Sequence, residues 1–118
     1  MSAVPKPGEI YRLQDSEDPR RLVIVSREEL NKGDYVVVVP VTSRQYELRR
    51  KLPNCVAFRS GEFGFVSNCV AQAEGIQVRD KLELALEEGL LGRLDDARMR
   101  DLIRAVGDMM AADCEPGP

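Results

Sequence analysis

Tyr35-Val36-Val37-Val38-Val39-Pro40-Val41-Thr42-Ser43-Arg44 is the stretch on which the reading of the fold turns. Four consecutive valines are stiff at χ1 and suit a pleated sheet, which makes residues 35–39 the strongest strand in the chain. Pro40 has no amide hydrogen to give to a ladder, so the strand is expected to end or bulge there, just before Val41-Thr42-Ser43. Upstream, Leu22-Val23-Ile24-Val25 is a second β-branched run, of the kind covered on both faces. Shorter strands are expected at residues 9–13, 55–58, 69–73 and 76–78, separated by turn formers such as Ser60-Gly61. Many short strands joined by tight turns indicate a small barrel rather than a parallel α/β sheet.

The remaining segments read as connections and helices. Residues 14–19 form a polar loop, residues 28–30 one helical turn closed by Asn31-Lys32-Gly33-Asp34, and residues 44–52 a basic connection. Residues 81–88 have the pattern of a short helix stopped by Gly89. A last helix carries Met99, Leu102, Ile103, Val106, Met109 and Met110 at three- and four-residue steps, with Asp95 and Asp96 placed to cap it. The whole chain, 1–118, is expected to be one domain, with residues 1–7 and 111–118 flexible.

Composition narrows the chemistry. The 118 residues are 43% hydrophobic and 31% charged, ordinary for a globular chain, and include no histidine. Mechanisms that need a His base or a His metal ligand are therefore excluded. Cys55, Cys69 and Cys114 are widely spaced with no CxxC pair, so neither a metal site nor a dithiol centre is expected, nor any cofactor. Cys55 and Cys69 read as small buried hydrophobes on strands in a reducing cytoplasm. No apolar run is long enough to span a membrane, and residues 1–8 do not have the pattern of a secretion signal. The net charge of -3 hides an asymmetry: residues 1–60 carry 11 Lys/Arg against 8 Asp/Glu, residues 61–118 carry 6 against 12. The basic half can face phosphate; uneven sampling of a solvated surface gives the same count.

Two segments are chemically suggestive. Arg20-Arg21 at the entrance of the second strand can form a fork for phosphate or carboxylate, or can pair with acids in the same loop. Thr42-Ser43-Arg44 at the exit of the valine strand can hold an anion through two hydroxyls and a guanidinium, or can serve as turn chemistry. Arg49-Arg50-Lys51 adds a basic run that is an ordinary solvated loop when taken alone.

Taken in order, these pieces resemble the MazF/PemK/Kid family of toxin endoribonucleases. Pro7-Gly8-Glu9-Ile10-Tyr11 is similar to the family's opening "RGEIW" strand. Ser16-Glu17 followed by Arg20-Arg21-Leu22-Val23-Ile24-Val25-Ser26, with Leu30-Asn31 after it, resembles "SE…RPVLVVS…LN". Val38-Val39-Pro40-Val41-Thr42-Ser43 resembles "VVPLTS", and Lys51-Leu52-Pro53 with Val56 resembles the lead into the next strand. Cys69-Val70-Ala71, Glu74, Ile76 and Asp80-Lys81 are similar to "SVAL…EQIRTVDK", and Gly92-Arg93-Leu94-Asp95 to "GRLS". The likeness runs collinearly from residue 7 to about residue 110.

The resemblance implies a mainly β fold, a small SH3-like barrel with a C-terminal α-helix, working as a homodimer in the cytoplasm with a cognate antitoxin. It implies sequence-selective, metal-independent cleavage of single-stranded RNA, leaving a 2′,3′-cyclic phosphate and a 5′-hydroxyl. By position, the catalytic pair falls on Arg20 and Thr42. RNA would be held by Arg21, Ser43, Arg44, Arg49, Arg50, Lys51 and Gln77. The chain departs from the family where Arg21 replaces a proline, where the loop before Arg20 is shorter, and where Gln77 replaces an arginine. About three residues are also added within residues 81–91. Two other readings stay open: a catalytically silent relative that binds RNA or an antitoxin peptide, and a gyrase poison like CcdB, which shares the fold.

Overall fold

The computed structural model describes residues 4–14 and 20–110. Most of the expected loop at 14–19, residues 15–19, and the tail at 111–118 with Cys114 lie outside the described residues. Seven strands form one curled antiparallel sheet: β1 (Glu9–Arg12), β2 (Arg21–Ile24), β3 (Tyr35–Thr42), β4 (Cys55–Phe58), β5 (Cys69–Gln72), β6 (Gln77–Asp80) and β7 (Gly92–Arg93). Its order is β4-β5-β3-β2-β1-β7, with β6 paired to β3 beside β5. Helices α1 (Glu28–Asn31) and α2 (Tyr46–Arg49) are single turns, and α3 (Asp96–Met109) is the C-terminal helix. The result is the expected mainly β fold with a C-terminal helix, its sheet curled into a half-barrel.

The period-two alternation of the strands builds two cores. Ile10, Val23, Val39 and Val41 turn to one side of the sheet, where Phe58, Phe65, Leu94, Leu102 and Ala105 complete a buried cluster under α3. Tyr11, Leu22, Ile24, Val36 and Val38 turn to the other, closed by Leu84. This is why β2 is apolar at every position after Arg21: both of its faces are covered. Asp95 caps α3, accepting from the Arg98 amide at 2.8 Å. Arg98 also pins the helix to β4, its guanidinium lying 4.9 Å from the Phe58 ring centroid and donating to the Ala57 carbonyl.

Three expectations are corrected. β3 does not stop or bulge at Pro40 but continues to Thr42. The Val25 amide donates to the Val37 carbonyl, and the Val37 amide donates to Ser26 Oγ, so Val37 presents its backbone groups to the β2 side. By alternation Pro40 presents its own to the opposite edge, where β3 changes partner from β6, last paired at Val38, to β5, first paired at Val41. The missing donor falls in that gap, and Gly75, where a Cβ would lie 2.6 Å from Pro40 Cγ, leaves room for the ring. Residues 81–88 are not one helix but two 3₁₀ turns, Lys81–Glu83 and Leu86–Glu88. Between them Leu84 bridges to Leu13, and the Ala85 amide donates to the Arg12 carbonyl at 2.8 Å, so pairing with the end of β1 outweighs helical continuation. On α3, Leu102 and Ala105 are buried while Ile103 is exposed, and Met110 lies exposed past the helix end, so the buried stripe is narrower than the six-residue face expected.

Beneath the sheet sits a polar knot. Asn31 is fully buried; its Nδ2 donates to the Pro5 carbonyl at 2.8 Å and the Ser26 carbonyl at 2.9 Å, and its Oδ1 accepts from Ser26 Oγ. The described part of the N-terminal lead-in is thus tied to the turn between β2 and β3. Replacing Asn31 by Ala strands the Pro5 and Ser26 carbonyls and the Ser26 hydroxyl. The Asn31→Ala protein should lose about 2–3 kcal/mol of stability in urea unfolding. A loss below about 0.5 kcal/mol, the scale of an ordinary surface substitution, would show that water replaces the amide.

Candidate functional site

The register of β2 against β3 builds the site. Arg21 pairs with Val41, so the same register carried one residue further sets Arg20 opposite Thr42. On the other edge of β3, Thr42 pairs with Val70 of β5. A cleft of about 780 Å³ opens over these strand ends. Arg20, Arg21, Thr42, Ser43, Arg44 and Arg49 line it together, six of the nine residues expected at the site. Arg50, Lys51 and Gln77 do not line it. Arg49 and Arg50 are consecutive on a helical turn and diverge by about 100°. Arg49 therefore reaches the cleft while Arg50 Nε donates to Glu47 Oε2 at 3.0 Å. Lys51 is exposed beyond α2. Gln77 lies on β6, its Nε2 donating to the Gly75 carbonyl at 3.1 Å and its Oε1 accepting from Arg79 Nε at 2.6 Å.

Arg12, Phe65, Val66 and Gln72 are cleft residues that the sequence reading did not single out. Arg12 brings the lining to five arginines, and no carboxylate lines the cleft among the described residues. Two of the cations are held by named partners. Arg12 pairs with Glu88, on the second 3₁₀ turn. Arg21 Nη1 donates to the Gly64 carbonyl at 2.6 Å. Gly64 has φ +84°, and a Cβ there would lie 2.1 Å from the Leu91 carbonyl oxygen, so only glycine lets this carbonyl reach Arg21. Thr42 is 8% exposed, and its Oγ1 accepts from the Arg44 amide at 3.2 Å. That bond occupies a lone pair and leaves the hydroxyl hydrogen to donate. The arrangement can bind an anion at the strand ends and stabilise charge that grows on it.

Cys69 forms part of the cleft floor, and burial pushes its thiol up to about 11, with Arg21 opposing and Glu62 adding to the rise. The Cys55 thiol is also raised, first by burial and then by Glu74. Both are buried on strands as expected, and a protonated thiol is no nucleophile. No group of three or more Cys, Asp or Glu side chains among the described residues could hold a metal ion.

A curled antiparallel half-barrel with a cationic cleft across its strand ends defines a small β-sheet protein equipped to receive a polyanion. The chain belongs to the PemK-like, MazF-like toxins of type II toxin–antitoxin systems, whose family model matches residues 6–110. Among solved structures it is similar to an endoribonuclease from a mycobacterial species in complex with its cognate antitoxin. The two are 26% identical with a TM-score of 0.73, over 97% of this chain and 99% of that one. A second structure, of an endoribonuclease from a mycobacterial species, is also 26% identical, with a TM-score of 0.71 over 99% and 98% of the two chains. The MazE–MazF complex of Deinococcus radiodurans, 20% identical with a TM-score of 0.70 over 91% and 95%, shares the fold. No curated protein sequence matches the chain.

Cys69 and Tyr11 give the fold a pH dependence. Tyr11 is buried, and burial with the Glu9 carboxylate beside it pushes its hydroxyl from 10.0 up to about 12. Cys69 rises from 9.0 to about 11. Both groups release a proton more readily when unfolded, so their contribution is intact below pH 9 and is lost as pH climbs from about 9 to 12. Urea midpoints should fall across that window. In a Cys114→Ser protein at pH 8, iodoacetamide should leave Cys55 and Cys69 unmodified until the chain unfolds. Rapid alkylation of the folded protein would show that the cleft floor opens.

Proposed function

We propose that this toxin is a sequence-selective, metal-independent endoribonuclease that cuts single-stranded RNA to a 2′,3′-cyclic phosphate and a 5′-hydroxyl. The observation that supports the reading is that Arg20 and Thr42 line one cleft together with four further arginines. In the reaction the ribose 2′-oxygen attacks the adjacent phosphorus, the P–O5′ bond breaks, the 2′ proton is lost, and the leaving O5′ takes up a proton. Negative charge grows on the phosphoryl oxygens. Arg20 stabilises that charge, and the Thr42 hydroxyl donates to the same oxygens. A guanidinium is a poor base in water, so Arg20 acts through its charge first and in proton transfer second. Arg21, Ser43, Arg44 and Arg49 hold the flanking phosphates. Arg50, Lys51 and Gln77 stand outside the cleft lining and take no part in holding the reacting phosphate.

The chain acts in the cytoplasm, and a cognate antitoxin is its partner, as for the similar mycobacterial endoribonuclease. Among the described residues no helix is long and apolar enough to cross a membrane. It works as a homodimer: Tyr35 and Val78 are 57% and 65% exposed on the β3–β6 ladder, and Ile103 on α3 and Met110 just past its end stand exposed, more apolar surface than one small domain needs for its core. Light scattering at micromolar concentration should give twice the mass of one chain, and the mass of a single chain would count against dimerisation.

The decisive experiment incubates the purified protein with mixed RNA in EDTA and analyses the ends produced. Cleavage should persist, with cyclic phosphate and 5′-hydroxyl termini. Arg20→Ala and Thr42→Ala should each reduce the rate by about 10²-fold or more, the scale of removing one preorganised donor, while Thr42→Ser keeps much of it. Full activity in a folded Arg20→Ala protein would end the catalytic assignment. RNA bound but never cut by the parent would instead make the chain a silent member of its family.

A further inference from the structure

Gln72, the last residue of β5, is half-buried and lines the cleft two residues beyond Val70, the partner of Thr42. At about 3.4 Å per residue it stands about 7 Å along the strand from that pairing. Its Nε2 donates to Glu74 Oε1 at 3.0 Å, and the other oxygen of Glu74 accepts from Asn54 Nδ2. A carboxylate only accepts, so Glu74 fixes which end of the Gln72 amide faces it. The amide is left with its carbonyl oxygen and its second N–H, an acceptor beside a donor.

The cleft that Gln72 lines offers what a single-stranded nucleotide requires. Val66, 79% exposed, gives an apolar surface for a ring face, and Arg49 gives a cation for a phosphate. An acceptor beside a donor is complementary to adenine, whose N6 amino group donates next to the accepting N7. On that edge guanine shows two acceptors, cytosine a lone donor and uracil a lone O4 acceptor; these three set a donor beside an acceptor only on their Watson–Crick edges, whereas adenine does so on both.

We propose that Gln72 is a specificity-determining residue that reads an adenine of the bound RNA, accepting from its amino group, with Glu74 as the positioning residue that holds the amide in that sense. The inference rests on the RNA reading above and adds the base beside the reacting phosphate. The arginines of the cleft carry only donors, so none of them offers an acceptor beside a donor.

The test measures binding of short, uncleavable 2′-O-methyl oligonucleotides by fluorescence anisotropy. One series carries adenine, a second carries purine, the same ring without its amino group, and a third uracil. The parent should prefer adenine over purine by about tenfold, the scale of a good amide–base contact. Gln72→Leu should bring the ratio near one, and Glu74→Gln, which no longer dictates the amide's sense, should lower it partway. Thermal melting checks that each variant folds, and Gln72→Asn, which withdraws the same amide by one methylene, replaces Gln72→Leu if that variant does not. A merely structural Gln72 would shift affinity for all three series alike. Equal binding of adenine and purine by the parent, or an unchanged ratio in Gln72→Leu, overturns the assignment and leaves the RNA reading standing. Failure to bind any oligonucleotide would overturn the RNA reading and the base contact with it.

Discussion

Strand β3 gives its backbone to three partners, β2 along one edge and β6 and then β5 along the other. A sheet with a shared central strand curls where the second edge changes partner, and the change falls at Pro40, the one residue of β3 with nothing to donate. The two cores, the closure by α3 and the cleft all follow from that arrangement. Val39 and Val41 face the α3 side and Val36 and Val38 the Leu84 side, so the same eight residues anchor both layers. Past the partner change only Val41 and Thr42 remain, and Thr42 emerges beside the ends of both β2 and β5.

Five arginines around one cleft repel one another, and among the described residues Arg21 and Arg12 rest on partners that leave the lining free of carboxylates. Arg21 leans on a backbone carbonyl, a neutral acceptor that orients the guanidinium without cancelling its charge. Arg12 is paired with Glu88, an exposed ion pair of the kind worth little in water and readily exchanged for another anion. The described lining thus favours negative charge, and all five of its arginines come from the basic first half of the chain. The imbalance in Lys/Arg and Asp/Glu between the halves is the trace of this division in the sequence.

The strands were legible because β-branched runs have few alternatives to a pleated sheet, and the position of Arg20 and Thr42 followed from the ends of two such runs. What escaped the sequence was decided by tertiary pairing. Pro40 would end a strand with two regular edges but not one whose edge is vacant at that residue. Residues 81–88 have helical spacing, yet Leu84 is worth more as a plug for the second core than as part of a helix. Arg50 is chemically equivalent to Arg49 and differs only by one step of helical rotation, which no composition argument resolves. Gln72 and Arg12 carry no local signal at all: each becomes a cleft residue because its strand ends there. The glycines are more telling, since Gly64 and Gly92 both stand where added side chains would strike backbone, and that contact carries the carbonyl to Arg21.

The Ser26–Asn31 knot and the Arg20–Thr42 pair lie at opposite ends of the β2–β3 ladder, and this connects stability to chemistry. A slip of one residue in an antiparallel ladder would turn every side chain of β2 to the other face, sending Arg20 away from Thr42 and Val23 out of its core. Alternating cores alone resist such a slip weakly here, because both faces of β2 are buried and both accept apolar residues. Neighbouring Leu22, Val23 and Ile24 could exchange faces at modest cost. The knot removes that freedom: Ser26 Oγ accepts from the Val37 amide at 2.9 Å, and Asn31 holds Ser26 through both its carbonyl and its hydroxyl. A polar contact satisfied in only one alignment specifies register where hydrophobic burial does not. The buried asparagine acts through Ser26, about 20 Å from Arg20 by the strand rise, and so bears on the register at Thr42 from the far end of the ladder.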